Sequence, residues 1–232
     1  MEYRPLVEGR FIRRLNRFVA EVDINGMVEK VHVKNTGRCR ELFIEGVKVF
    51  LEPSDNPNRK TKYSLVSLYK GEHLINIDSQ VPNQVVFESL LAGELKEVQN
   101  VTFAKREVTY GKSRFDIYYE TATSKGFIEV KGVTLEEYDL AMFPDAPTVR
   151  GARHVEELTK GLEEGYVNFV CFLIQMDYVK SFRPHHERDL TLANNVYNGK
   201  DKGLGVMVYN CHVTESGISL KDPCTLLKRT YE

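Results

Sequence analysis

Residues 167–176 read VNFVCFLIQM, a continuous apolar run interrupted only by Asn168 and Gln175. A run this short, without polar residues at every second place, reads as a strand buried on both faces in the middle of a sheet. The sequence around it alternates strand-like and helix-like segments, so this part of the chain reads as α/β. Gln175 stands near the end of the run, where polar site residues emerge in open α/β sheets.

A second constraint comes from Arg114 to Lys131, RFDIYYETATSKGFIEVK. Two stretches of β-formers flank a polar turn, Glu120 to Gly126, and read as a hairpin. The period of two puts Glu129 and Lys131 on one face of the second strand and turns Val130 to the other. If the hairpin pairs in register, Asp116 comes beside them. Two carboxylates and an ammonium suit metal-assisted phosphodiester cleavage: hard oxygens hold Mg²⁺ or Mn²⁺, and the lysine orients a water or balances developing charge. The plain alternative is a solvated sheet face with a cross-strand ion pair. Glu94 and Lys96 repeat the Glu-x-Lys spacing with no chemistry attached, in a segment that reads as helical.

Upstream, VPNQVVFESLLAGEL has helical spacing, with Asn83 as a candidate cap and Gly93 as the stop. Glu88 on that helix is either a solvent-facing residue or a further ligand aimed at the hairpin. Downstream, Ala141 to Thr148 reads as a turn with two prolines, followed by a helix from Val149 to Glu164 that ends at Gly165. Val155, Leu158 and Leu162 form its apolar stripe. Arg150, Arg153 and His154 crowd its first turns, where cations oppose the helix dipole; they serve either a phosphate or an ion pair to Asp145 or Glu157. Arg183, His185, His186 and Glu187 read as an exposed loop. A short helix near 189–198 and strands at Gly205 to Val213 and Ile218 to Leu220 complete the chain.

Residues 1–80 read as all-β. Phe18, Ala20, Val22 and Ile24 alternate with polar residues, Asn25-Gly26 is a hairpin turn, and Val28, Val31 and Val33 follow. Further strands fall at Val47 to Leu51, Tyr63 to Leu68 and His73 to Ile77, and the polar stretch 53–62 is a loop. About five short strands in this length suit a small OB-like barrel, a fold that binds single-stranded nucleic acid on aromatic and basic surfaces. Arg10, Arg13, Arg14 and Arg17 cluster on the first strand with Phe11 and Phe18; they are nucleic-acid contacts or a solvated surface over a core. Asn35-Thr36-Gly37-Arg38 is a loop able to hold a phosphate, a turn or a cap. The division falls near Gln80: a barrel over 1–80 and an α/β domain over 81–232.

Charge permits a nucleic-acid partner without requiring one. Lys and Arg outnumber Asp and Glu by 14 to 11 in residues 1–80, and the remaining 18 face 22 in residues 81–232. The four cysteines, Cys39, Cys171, Cys211 and Cys224, form no Cys-x-x-Cys pair and read as reduced thiols. No apolar run reaches about 18 residues and the N-terminus lacks a signal-peptide core, so the expectation is a cytoplasmic protein without a membrane contact.

Several segments agree with one family. GRFIRRLNRFVAEV, KNTGR, VPNQVVFESLL, KSRFDIYYE, GFIEVKGVTL, AMFPDAPTVRGARHVEEL and SFRPHHERD occur in order over almost the full chain, which resembles the sugar fermentation stimulation protein family. The resemblance implies an N-terminal OB fold, a C-terminal PD-(D/E)xK nuclease-like α/β domain with a mixed sheet, and DNA binding with little sequence preference. It implies a nuclease-like signature on Glu88, Asp116, Glu129 and Lys131, in which Glu88, Asp116 and Glu129 would hold Mg²⁺ or Mn²⁺. Arg150 and His154 would steady a phosphate, and Arg10, Arg13, Arg14, Arg17 and Arg38 would contact DNA. The family is associated with sugar use, notably maltose, so the rival expectation is a non-catalytic DNA-binding regulator. A protein-interaction module is a third reading that no residue favours, and a homo-oligomer is compatible with all three.

Overall fold

The computed structural model describes residues 1–35, 37 and 39–229. Six strands come first: β1 (Val7–Arg14), β2 (Val19–Ile24), β3 (Met27–Val33), β4 (Lys48–Pro53), β5 (Tyr63–Lys70) and β6 (His73–Asn76). They run in the order β3-β2-β1-β4-β5-β6, and a parallel pairing of β3 with β5 closes the first five into an OB-like barrel. Asn25 and Gly26 both take left-handed φ, 54° and 83°, the geometry that a two-residue hairpin turn requires. Ala20, Val22, Ile24, Val31 and Val33 fill the barrel. Phe18 does not join that alternation: it precedes β2 and stands half exposed, as does Val28 on β3.

The second unit begins with α1 (Val81–Leu91), then β7 (Phe103–Tyr110), β8 (Ser113–Glu120), β9 (Lys125–Val133), β10 (Leu135–Glu137) and β11 (Leu140–Phe143). It continues through α2 (Val149–Gly161), β12 (Phe169–Ile174), β13 (Ser181–Pro184), α3 (Leu190–Asp201), β14 (Gly205–Val213), β15 (Ile218–Pro223) and β16 (Thr225–Leu226). The apolar run is the centre, as its composition requires: all six residues of β12 are buried, between β9 and β14, both parallel to it. Antiparallel β8, β7 and β15 complete a mixed six-stranded sheet, β15-β14-β12-β9-β8-β7. Cys171 and Leu173 pack with Val81, Val85 and Val86 of α1, whereas Val170 and Phe172 pack with Val155 and Leu158 of α2 and Leu192 and Val196 of α3. A strand covered on both faces needs no alternation, which is why its pattern is continuous.

Three local expectations change. Residues 140–143 are a strand rather than part of a turn: Ala141 and Met142 are buried, and β11 pairs with β10 and, in parallel, with β13. The turn starts only at the cis bond before Pro144. Asn83 does not cap α1; Gln80 precedes the helix and Pro82 occupies its first turn. His185 is buried, because its amide donates to Phe143 O (2.7 Å) and its ring faces Glu187 (2.9 Å). The helix from Val149 tightens to a single 3₁₀ turn at Leu162–Glu164 before left-handed Gly165.

The barrel and the α/β sheet share one core, in which Leu51, Leu65 and Ile75 join Phe127, Phe172 and Phe182. Polar ties cross the same junction. Gln175 Nε2 donates to Asn76 Oδ1 (2.8 Å) and to Asp78 O (3.1 Å), and Lys70 Nζ binds the Glu136 carboxylate. Residues Met1 to Tyr3 run back to residues 216–218, so the first residues of the chain dock on the edge of the second unit. Among the described residues no helix is long and apolar enough to cross a membrane.

Candidate active site

The β8–β9 hairpin pairs from Glu120↔Lys125 to Ile117↔Ile128 and then opens. At the opening Val130 N–H donates to Asp116 Oδ2 (2.7 Å) instead of to a backbone carbonyl, and Asn83 Nδ2 on α1 donates to Oδ1 (2.7 Å). Asp116 is thus clamped where the strands separate. On β9, Glu129 and Lys131 share one face, as the period of two requires, and Lys131 Nζ donates to Glu129 Oε1 at 2.6 Å. The same oxygen meets His154 Nδ1 of α2 at 2.6 Å, and Arg150 Nε donates to His154 Nε2 at 3.3 Å. Glu129 and His154 are almost sealed, with side chains 3% and 1% exposed.

The electrostatics follow from this packing. Burial, and then the negative charge of Glu129, push the Asp116 carboxyl up to about 6, against the Val130 N–H, Lys131 and Asn83. Burial pushes Glu129 upward too, but the hydrogen bond from His154 and the charge and hydrogen bond of Lys131 outweigh it and hold the carboxyl below its usual range. Glu129 Oε2 is buried and has no hydrogen-bond partner. A buried, unpartnered carboxylate oxygen beside a second carboxylate that resists ionisation is an environment that a cation relieves. The residues therefore fit a divalent cation held by Asp116 and Glu129. No group of three His, Cys, Asp or Glu side chains gathers among the described residues, so the rest of a coordination shell would be water, which Mg²⁺ readily retains.

Glu88 is not brought to this pair. It salt-bridges the Met1 amine (3.2 Å), accepts from Gln84 Nε2 (2.8 Å), and is about half exposed. Asn83 is the α1 residue that meets Asp116, and five residues along an α-helix turn the side chain about 140° away from it. The helix thus contributes Asn83 where the sequence pointed to Glu88. Gln175 is not exposed at the strand end either, because it serves the junction with the barrel. Gly132 lies directly against it: a Cβ there would stand 2.5 Å from Gln175 Oε1 and 2.7 Å from Pro82 Cγ.

A cleft of about 1080 Å³ runs between the barrel and the loop ahead of α2. Arg13, Arg14, Arg17 and Arg40 line it with Phe11 and Phe43, opposite Asp145, Pro147 and Thr148. The pairing of β1 with β2 shifts register between Phe11 and Arg13, and both of these residues line the cleft. Arg14 Nη1 donates to Gly37 O (2.7 Å) and Nη2 to Asn35 O and Arg17 O, while its guanidinium sits 4.7 Å from the Phe43 ring centre. Arg13 reaches Glu21 at 2.7 Å. Arg10 lies apart from them, near Lys48 and Tyr69, and donates to Gly46 O. Arg38 lies outside the described residues. A smaller pocket of about 170 Å³ shares Gly37 and Asp145 with the cleft and reaches Gly132, the residue after Lys131. His154 is too buried to touch a ligand in the cleft; only Arg150 of that pair is exposed.

Asn83 and Arg40 carried no signal of a site role in the sequence. Asn83 follows a proline at a helix start, where a cap is the first reading, and Arg40 is one cation among many until the chain folds it against Arg14 and Phe43.

A five-stranded OB-like barrel ahead of a mixed α/β sheet, with an acidic and lysine-bearing split hairpin, defines a barrel-plus-nuclease-like-domain protein. The description "SfsA N-terminal OB domain" matches residues 12–77, and "Sugar fermentation stimulation protein RE domain" matches residues 80–217. The sugar fermentation stimulation protein homolog of Alkaliphilus oremlandii is 51% identical over 227 residues, covering 96% of this chain and 97% of that one. The homolog of Clostridium beijerinckii is 47% identical with the same coverage. A solved structure, Pyrococcus furiosus SfsA in complex with Ca²⁺, superposes with a TM-score of 0.89 at 30% identity over 98% of each chain. The chain belongs to the sugar fermentation stimulation protein family.

Proposed function

We propose that this protein binds DNA in the cleft with little sequence preference and cleaves its phosphodiester backbone with the help of a divalent cation. The observation that carries this reading is the buried, unpartnered Glu129 Oε2 beside Asp116 and Lys131. A pure DNA binder gains nothing from carboxylates near phosphate, which they repel unless a cation intervenes. The Ca²⁺ named with the P. furiosus relative supports a cation site in this fold.

Asp116 and Glu129 would hold Mg²⁺ or Mn²⁺, with Asn83 and the Val130 N–H fixing the first carboxylate and His154 fixing the second. The ion supplies Lewis-acid polarisation of the phosphate and a bound water of lowered pKa. Lys131, a donor with no acceptor, directs a water toward the phosphorus and balances charge on the oxygens around it. Arg13, Arg17 and Arg40 hold flanking phosphates, so affinity falls with salt. The exposed Arg150 supplies a further phosphate contact.

A second reading, a DNA-binding regulator of sugar use that does not cut, is favoured by one feature. Glu129 Oε1 is already engaged by both Lys131 and His154, and Glu88 adds no third carboxylate. Supercoiled plasmid and single-stranded DNA incubated with Mg²⁺, Mn²⁺ or EDTA separate the two, with binding followed in parallel. We expect cation-dependent cutting that disappears in Asp116→Ala and in Lys131→Ala while binding persists. No cutting by any form, with salt-sensitive binding indifferent to both substitutions, leaves the regulator.

A further inference from the structure

The buried Glu129 is connected to the surface by a line of side-chain hydrogen bonds. Its Oε1 meets His154 Nδ1, His154 Nε2 meets Arg150 Nε, and Arg150 is exposed. An arginine Nε–H only donates, so His154 Nε2 is the acceptor and Nδ1 carries the hydrogen given to Glu129. The imidazole therefore has one orientation and one tautomer as long as Arg150 stays in place. Beyond its Nε, Arg150 makes no other hydrogen bond among the described residues. It lies two residues after Thr148, which lines the arginine-rich cleft and caps α2 by accepting from the Gly151 amide. Its remaining guanidinium N–H groups can take a phosphate as a fork while Nε keeps His154.

We propose that Arg150 and His154 are positioning residues that form a phosphate-sensing relay. A phosphate of nucleic acid in the cleft fixes Arg150, Arg150 fixes His154, and His154 holds Glu129 Oε1 so that Oε2 faces the cation. The inference rests on the nuclease reading above and deepens it: cation loading and occupation of the cleft become coupled. By linkage the coupling is reciprocal, so DNA raises cation affinity by the factor that the cation raises DNA affinity. Simple attraction between cation and phosphate gives some coupling in any such site. The relay adds a part that depends on the Arg150 Nε–H.

Calorimetry of Ca²⁺ binding to the full chain, alone and saturated with a short single-stranded oligodeoxynucleotide, tests this in wild type, Arg150→Lys and His154→Gln. Lysine keeps a cation for the phosphate but cannot reproduce the Nε–H directed at His154. For the wild type we expect DNA to tighten Ca²⁺ binding about tenfold or more, within the usual span of coupling between sites. In Arg150→Lys, DNA binding in EDTA should weaken about threefold as the fork on the phosphate becomes a single contact, and with the oligonucleotide raised to saturate the variant the tightening factor should fall to about a third or less. In His154→Gln, Ca²⁺ binding without DNA should weaken about 10–100-fold, the cost of losing a side chain that orients a ligand. An unchanged tightening factor in Arg150→Lys overturns the relay even if His154→Gln fails to fold. A wild type that binds Ca²⁺ and DNA with that result loses only the relay, whereas one that binds no Ca²⁺ loses the nuclease reading as well.

Discussion

The cleft and the split hairpin both gather charge, and they do so in opposite ways. Arg13 in the cleft has a side chain 69% exposed and pairs at the surface with Glu21, itself 15% exposed, whereas Glu129 at the hairpin is 3% exposed and meets a histidine that is 1% exposed. Exposed pairs of the first kind contribute little and are screened by salt, so a groove built from several of them tolerates the loss of any one. Buried groups have fixed partners, and removing one leaves another unsatisfied. The first arrangement suits a polymer whose phosphates can shift register. The second suits a small ion and a single reacting bond.

The sharpest way to break this contrast is Glu129→Gln. The amide keeps the shape but removes the charge that would hold the cation, and it faces a lysine and a histidine that were arranged for a carboxylate. A cation supplies several kcal/mol of transition-state stabilisation, so cleavage should fall about a thousandfold or more while binding in EDTA stays within about twofold. Single-turnover cleavage and filter binding on the same preparations check it. A loss of binding equal to the loss of cutting would mean that the two regions act as one.

Asp116 provides the next largest effect, through pH. Its unfolded carboxyl releases its proton near 3.8 and the folded one near 6, so between those values the folded state binds the extra proton. The associated stability is fully present below about 3.8 and is lost as pH rises through about 6, on the order of 2–3 kcal/mol in all. Urea denaturation in EDTA across this window should show a decline in the wild type that Asp116→Asn lacks, and saturating Mg²⁺ should offset it by binding the ionised form. Parallel profiles for the two proteins would place the raised carboxyl elsewhere.

How much of this could be read from the sequence depends on how local the cause is. The β12 run, the Asn25-Gly26 turn and the shared face of Glu129 and Lys131 follow from period and turn chemistry within a few residues, and the structure has them as the pattern requires. The α1 contribution was misplaced because a helix start leaves its rotation about its own axis open. Only packing of Val81, Val85 and Val86 on the sheet turns Asn83 inward and Glu88 toward the Met1 amine. His154 is polar and lies in a helix rich in cations, so an exposed phosphate contact was the natural reading. Its burial depends on the sheet beneath it, which no single stretch encodes. The strand at 140–143 was hidden by two prolines close behind it, although its partner β13 is about forty residues away.

Arg14 sharpens the contrast from inside the cleft. It belongs to the basic cluster by sequence, yet its guanidinium donates to three carbonyl oxygens and covers Phe43, as a structural group would. Arg14→Ala leaves those carbonyls to find water and uncovers the ring, so a loss of about 2 kcal/mol in unfolding free energy is expected, with the barrel loop around Gly37 loosened. Chemical denaturation and hydrogen exchange of that loop measure it.

Arg13 is the smallest perturbation and the cleanest test of the cleft as a surface for DNA. Among the described residues only Glu21 engages its guanidinium, at an exposed position, so Arg13→Ala should leave the denaturation midpoint unchanged within error. Its effect should appear only when the ligand is a polyanion. The slope of log binding constant against log salt should become shallower by about one, uniformly across oligonucleotides of different sequence, because one phosphate contact and its released counterions have gone. A shift confined to particular sequences would make Arg13 a base reader. No shift at all, while Arg17→Ala and Arg40→Ala each lower the slope, would move the path of the nucleic acid away from Arg13 and onto Arg17 and Arg40.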